Sequence, residues 1–180
     1  MSHSMHSDSS SHASQPALPA ATLERFAREV AKYPPAGKQS AVMACLAIVQ
    51  QEQGFVSRES EHEIAAYLGM PTIAVHEVTT FYNMYNQHPV GKFKLNVCTN
   101  LPCQLRDGAV ALAHLEKKLG IQMGETTPDG LFTLQQSECL GACGDAPVML
   151  VNDRTMCSFM SNDKLDQLVD GLRAAEGSAS

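Results

Sequence analysis

Apolar residues recur every three or four positions through the first half of the chain and every second position after it, so the pattern passes from helical to stranded. Leu23, Phe26, Ala27 and Val30 share one face of a helix predicted from Thr22 to Tyr33, which Pro34-Pro35 ends. Val42, Met43, Leu46 and Val49 predict a second helix from Ser40 to Gln53, with Gly54 where a C-terminal cap belongs. Ser60 with Glu63 reads as a capping box opening a third helix from Glu61 to Leu68, closed by Gly69 before Pro71. From Thr72 to Tyr85 the β-branched residues Ile73, Val75, Val78, Thr79 and Thr80 favour a strand by propensity. Pro71-Thr72 nevertheless looks like a helix start, and the segment is read as a fourth helix. A helical domain is therefore expected over residues 20–88, left through Asn86-Gln87-His88-Pro89.

Beyond Gly91, Phe93, Leu95 and Val97 alternate with Lys92, Lys94 and Asn96, the pattern of a half-buried strand ending at Cys98. Leu105, Val110, Leu112 and Leu115 predict a helix from Gln104 to Leu119, ended by Gly120. Short strands follow at Leu131–Leu134, Val148–Val151 and Thr155–Phe159, the last two joined by a turn at Asn152-Asp153, and Asn162 to Leu172 is a final helix. The order β-α-β, then β-β-α, is that of a thioredoxin-like domain over residues 89–176. The expected fold class is α/β, a helical bundle followed by a thioredoxin-like domain.

The net charge of −6 and only 13 Lys and Arg in 180 residues argue against a nucleic-acid surface, which needs clustered cations. The longest apolar run, Ala41 to Val49, is too short to span a bilayer. Residues 1–19 hold Ser, His, Pro and Ala without Arg or an apolar stretch, which fits neither an export signal nor a transit peptide and reads as a disordered tail. Its His3, His6 and His12 read as solvated residues rather than a metal site.

Without an export signal a reducing compartment is the default, so the six cysteines are not expected to form disulfides. Cys98 and Cys103 enclose four residues, and Cys139 and Cys143 enclose three, so two loops can each present two thiolates. That spacing suits a [2Fe-2S] cluster, with two thiolates per iron, and equally a structural zinc ion. No two cysteines have the C-x-x-C spacing of a thiol oxidoreductase. Pro102 would stiffen the first loop, Gly141 and Gly144 would let backbone N–H groups approach the sulfurs, and a helix N-terminus would favour the Cys103 thiolate. Cys45 and Cys157 read as packed residues, with Cys157 also a conceivable redox-sensitive thiol. Gly37-Lys38-Gln39-Ser40 lacks the first glycine of a phosphate loop, His62-Glu63 and His76-Glu77 lack the second histidine of a zinc hydrolase, and no G-x-G-x-x-G occurs.

The words around the cysteines are more specific than their spacing. Val97 to Cys103 (VCTNLPC), Gly124 to Phe132 (GETTPDGLF), Glu138 to Pro147 (ECLGACGDAP) and Phe81 to Tyr85 (FYNMY) together resemble NuoE. That family is the small peripheral [2Fe-2S] subunit of NADH:quinone oxidoreductase, complex I, and the likeness runs from about Leu23 to Leu172. The resemblance implies a four-helix N-terminal part, a thioredoxin-like [2Fe-2S] ferredoxin domain, and one [2Fe-2S] cluster on Cys98, Cys103, Cys139 and Cys143. It implies a flavoprotein partner carrying FMN and the NADH site, and a cytoplasmic place, peripheral on the inner face of the bacterial membrane through the complex. The chain itself is expected to carry electrons without an NADH site of its own. Gly144-Asp145 departs from many members, which have a bulkier residue followed by Asn, and similar variants occur in subunits of NAD-dependent formate dehydrogenases and NAD-reducing hydrogenases. A free-standing ferredoxin and a zinc-binding scaffold remain as other classes. The helical domain speaks against the first, because a diffusing shuttle does not need it.

Overall fold

The computed structural model describes residues 18–178. The expected tail lies outside them except for Leu18 and Pro19, and Leu18 is buried in the helical core, so ordered packing begins earlier than expected. Four helices follow: α1 (Ala20–Val30), α2 (Val42–Gln53), α3 (Arg58–Leu68) and α4 (Thr72–Phe81). A 3-10 segment at Pro35–Ala41 joins the first two. Helix α2 is central, with Cys45, Leu46, Ile48 and Val49 all buried, and Phe26 of α1 meets Tyr67 of α3 edge-on at 5.3 Å between ring centres. The fourth segment is a helix despite its β-branched residues, because Val75 packs into this core while Pro71 sets the entry conformation.

The capping box expected at Ser60 is displaced by one turn. Ser57 caps α3, its hydroxyl accepting from the Ser60 N–H, and the buried Ser60 hydroxyl instead donates to Gln53 at 3.0 Å. Gly54 and Gly69 close α2 and α3 at φ of 83° and 69°, the left-handed conformation expected of C-terminal glycines.

The second half is a four-stranded sheet in the order β2-β1-β3-β4, from β1 (Phe93–Cys98), β2 (Phe132–Ser137), β3 (Met149–Val151) and β4 (Thr155–Cys157). β1 runs parallel to β2 and antiparallel to β3. β2 is longer than the expected Leu131–Leu134 because it pairs with every residue of β1, from Phe93 opposite Phe132 to Cys98 opposite Ser137. β4 ends short of Phe159, which turns to a positive φ of 53° and donates its N–H to the Asp145 carbonyl. Helices α6 (Gly108–Leu119) and α7 (Asn162–Gly177) pack through Leu115, Leu165 and Val169 on Leu95, Val97, Phe132, Leu134 and Met149.

Two expectations need correction. The single helix from Gln104 to Leu119 is broken: a short α5 (Leu101–Gln104) is separated from α6, with Asp107 at a φ of 66°. And β1 is not half-buried, because Lys94 and Asn96 on its other face are covered by Asn86 and by Asp153 of the β3–β4 turn.

Candidate metal centre

Cys98 ends β1 and Cys139 lies two residues past β2. Since those strands are parallel and Cys98 stands opposite Ser137, both loops leave the same end of the sheet. The first loop folds back at once: Pro102 occupies the first turn of α5, and the Cys103 N–H donates to the Asn100 carbonyl at 2.9 Å. The second loop turns at Gly141, whose φ is 74°, and enters the 3-10 turn Cys143–Asp145. The peptide bond between Ala146 and Pro147 is cis, and Val148 beyond it accepts from the Cys98 N–H at 3.1 Å.

The four thiols form two pairs. The sulfurs of Cys139 and Cys143 are 3.8 Å apart, which matches the edge, about 3.8 Å, of a tetrahedron of sulfurs bonded at ~2.3 Å to one metal ion. Cys103 interacts with the Cys98 sulfur and receives the Val148 N–H. Burial first, then the Cys98 thiol, push its pKa up to about 11, against the opposing pull of that N–H. Cys143 is also raised, by its contact with Cys139 first, then by burial and by the charges of Cys139 and Cys98. Both Cys103 and Cys143 thus feel a sulfur of the opposite pair. The expected lowering of Cys103 by a helix dipole is overridden: α5 is four residues long, and burial dominates.

Among the described residues no three His, Cys, Asp or Glu side chains gather closely enough round one point to hold a single ion, and the thiols stand as two pairs. That arrangement and an all-sulfur donor set fit a two-iron cluster, one pair to each iron. The Gly141 N–H, expected to approach a sulfur, donates to Cys139 at 3.4 Å. Gly144 contributes instead through its carbonyl, which accepts from Arg106 at 2.8 Å. The buried Thr99 hydroxyl, next to Cys98, has no hydrogen-bond partner. An unpaired hydroxyl costs about 1–3 kcal/mol, and an acceptor brought between the loops would satisfy it.

Cys98 and Cys103 are 1% exposed, whereas Cys139 is exposed and Cys143 half-buried, so the site opens on its Cys139 side. Leu101 and Leu105 of the first loop are exposed, as is Phe159, whose N–H donates to Asp145 of the second. Cys45 lies in the helical core, and burial pushes its thiol up to about 12. Cys157 is half-buried against the sheet core and not in the small cluster that holds Cys98 and Cys103. Sequence reasoning missed the ties between the loops, Arg106 to Gly144 and Asn100 to Glu138, since nothing local to either residue signals a contact across more than thirty positions.

A protein from Thermus thermophilus named NADH-quinone oxidoreductase subunit 2 is 43% identical over 146 residues, 81% of each chain. Another NADH-quinone oxidoreductase subunit, from Rhizobium meliloti, is 42% identical over 153 residues, 85% of this chain and 89% of that one. The fold resembles part of a solved NAD+-reducing [NiFe]-hydrogenase in the air-oxidized state, with a TM-score of 0.64 at 20% identity, covering 75% of this chain but 23% of the other. The profile of the family described as thioredoxin-like [2Fe-2S] ferredoxin matches residues 26–173, and the chain, with its paired thiols at the end of two parallel strands, belongs to that family.

Proposed function

We propose that the chain is the electron-transfer [2Fe-2S] subunit of the NADH dehydrogenase module of an NADH:quinone oxidoreductase, with Cys98, Cys103, Cys139 and Cys143 as the cluster ligands. The observation that carries this reading is the convergence of two thiol pairs, one of them 3.8 Å apart, from loops at one end of a parallel strand pair. Relatives at 42–43% identity over most of their length carry the name of that complex, which favours it over a formate dehydrogenase or hydrogenase; the hydrogenase likeness, at 20% identity, speaks for the fold.

When bound, a [2Fe-2S] cluster takes up and returns one electron at a time. The chain's own groups prepare its place. The buried Cys98 and Cys103 would hold it on the side away from water and Cys139 and Cys143 on the more open side, and the Gly141 N–H would stabilise charge on the Cys139 sulfur. The sequence carries no dinucleotide fingerprint, so a flavoprotein partner supplies FMN, the NADH pocket and the conversion from two electrons to one. Residues 20–88 form a helical domain that gives this partner a docking surface, and residues 89–176 form the redox domain. No helix among the described residues is long and apolar enough to cross a membrane, and the chain reaches the cytoplasmic face of the inner membrane through the complex.

The test is chemical first. The chain purified without oxygen should contain iron and acid-labile sulfide in equal amounts and show visible absorption that dithionite bleaches. Zinc in place of iron would overturn the assignment. Co-expressed with the flavoprotein encoded beside it, the chain should form a heterodimer with NADH:ferricyanide activity, while alone and free of flavin it should show none. Comparable NADH oxidation by the chain alone would overturn the division of labour.

A further inference from the structure

The two ligand loops are tied to each other at two points. On one side the Asn100 amide donates to a Glu138 carboxylate oxygen at 3.1 Å, joining the residue two past Cys98 to the residue before Cys139. On the other, the Arg106 guanidinium donates to the Gly144 carbonyl at 2.8 Å, joining the residue three past Cys103 to the residue after Cys143. The ties differ in charge. Asn100 is neutral, and the carboxylate it holds remains an anion. Arg106 carries a full positive charge to the rim of the second thiol pair, where its main partner is a backbone dipole. Of the carboxylates there, Glu138 is engaged by Asn100, and Asp145 accepts from Ser158 at 3.3 Å.

We infer that Arg106 is a positioning residue that also sets the reduction potential: its hydrogen bond to Gly144 closes the second ligand loop, and its charge stabilises the reduced cluster. The inference rests on the cluster reading above. A tetrathiolate two-iron cluster is anionic and gains a further negative charge on reduction, so a nearby cation stabilises the reduced form more than the oxidised one and raises the potential. A neutral donor in the same place keeps the loops together without that effect. Arg is suited to both parts, since its planar fork offers several N–H groups and its charge does not titrate in the physiological range. The side chain is exposed, so its electrostatic effect is screened by salt.

The test compares wild type, Arg106→Gln, Arg106→Lys and Asn100→Ala by EPR-monitored redox titration at low and high ionic strength. Arg106→Gln should lower the midpoint at low salt by about 30–60 mV, roughly three- to tenfold in the reduction equilibrium at about 59 mV per decade for one electron. High salt should narrow that gap, and Arg106→Lys should restore most of the wild-type value. Asn100→Ala should release iron to a chelator faster than wild type while its midpoint stays within the scatter of the wild type's. Should the Gln variant fail to hold a cluster, Arg106→His makes the comparison within one folded protein, since its imidazolium loses its charge as pH rises through about 6.5. Its potential should fall across that range more steeply than the wild type's. An unmoved midpoint in Arg106→Gln, no recovery in Arg106→Lys, an equal shift in Asn100→Ala, or a His variant that follows the wild type would each overturn the role of Arg106 alone. A wild-type chain without iron would instead overturn the cluster assignment beneath it.

Discussion

The ammonium of Lys94 donates to the Asn86 side-chain oxygen at 2.7 Å and pairs with Asp153 at 2.5 Å, so a lysine 3% exposed joins the helical half to the sheet. Asn86 completes the junction: its N–H donates to Gln50 at 2.6 Å, its amide to the Gly54 carbonyl at 3.1 Å, and its own carbonyl accepts from Val56 at 2.7 Å. Removing the exposed Asp153 leaves the buried Lys94 ammonium with Asn86 alone, whereas an apolar replacement of the buried ion strands no buried charge. Asp153→Ala should therefore cost about 2 kcal/mol of unfolding free energy, and Lys94→Met less. Adding Asp153→Ala to Lys94→Met should then cost only what the unpaired Asn96 amide adds. Chemical denaturation of the set decides it, and an Asp153→Ala no worse than Lys94→Met would contradict a buried lysine charge that depends on Asp153 at this junction.

This junction also marks where the sequence stops being legible. Most of the helices, the succession of elements along the chain and the paired cysteines follow from local signals: apolar periodicity, glycine caps, and thiols a few residues apart. Lys94 and Asn96 look like the solvent face of an alternating strand, and their burial depends on Asn86 and Asp153, partners 8 and 57 residues away. The break between α5 and α6 is hidden for a related reason. Leu105, Val110, Leu112 and Leu115 keep helical spacing through it, while Asp107 turns to a positive φ and Gly108 comes close to the Cys103 carbonyl. At the site, the thiol pairs were readable because their members are close in sequence. Arg106 with Gly144 and Asn100 with Glu138 were not, because each pair forms only once both loops are placed.

Near the same end of α2, the buried Thr22 hydroxyl donates to Glu52 at 2.6 Å, and Arg25 reaches the other carboxylate oxygen. The Thr22 hydrogen bond, ahead of the Arg25 charge, lowers the Glu52 pKa from its ordinary 4.5. A depressed folded-state pKa contributes stability above the unfolded value and loses it as pH falls through the folded one. Thr22→Val should thus lower stability by roughly 1 kcal/mol at neutral pH, and the gap from wild type should close below about pH 4.5. Thermal melts of both proteins from pH 7 downward test this, and a gap of constant size would remove Glu52 from the account.

The six cysteines should separate into a set of four and a set of two. Cys→Ser at 98, 103, 139 or 143 removes one member of a thiol pair and should abolish or strongly alter the reduced-state EPR signal. Cys45→Ala and Cys157→Ala should leave it intact, since Cys45 is buried in the helical core and Cys157 packs against the sheet core. Cys45 should also resist alkylation in the folded chain, because burial holds its thiol near 12. A normal spectrum from Cys139→Ser, or prompt labelling of Cys45 under native conditions read by mass spectrometry, would count against the assignment.

Gly108 is where fold and site are most tightly coupled. A Cβ there would stand 2.8 Å from the Cys103 carbonyl oxygen and 3.1 Å from that of Cys98, both backbone atoms of the first ligand loop. The clash cannot be relieved by turning a flexible side chain, so either α6 moves off the sheet or the loop moves away from the second thiol pair. Gly91 is a matched control: its Cβ would meet the backbone carbon of Phe132 at 2.9 Å, equally tight but at the opposite end of β1. Both Gly→Ala changes should destabilise the fold by about 1–3 kcal/mol, as overpacking does. Only Gly108→Ala should also displace Cys98 and Cys103, so it should lose iron to a chelator several times faster than Gly91→Ala at matched loss of thermal stability. Equal iron release by the two variants would mean that the approach of α6 to the first loop has no part in holding the ligands in place.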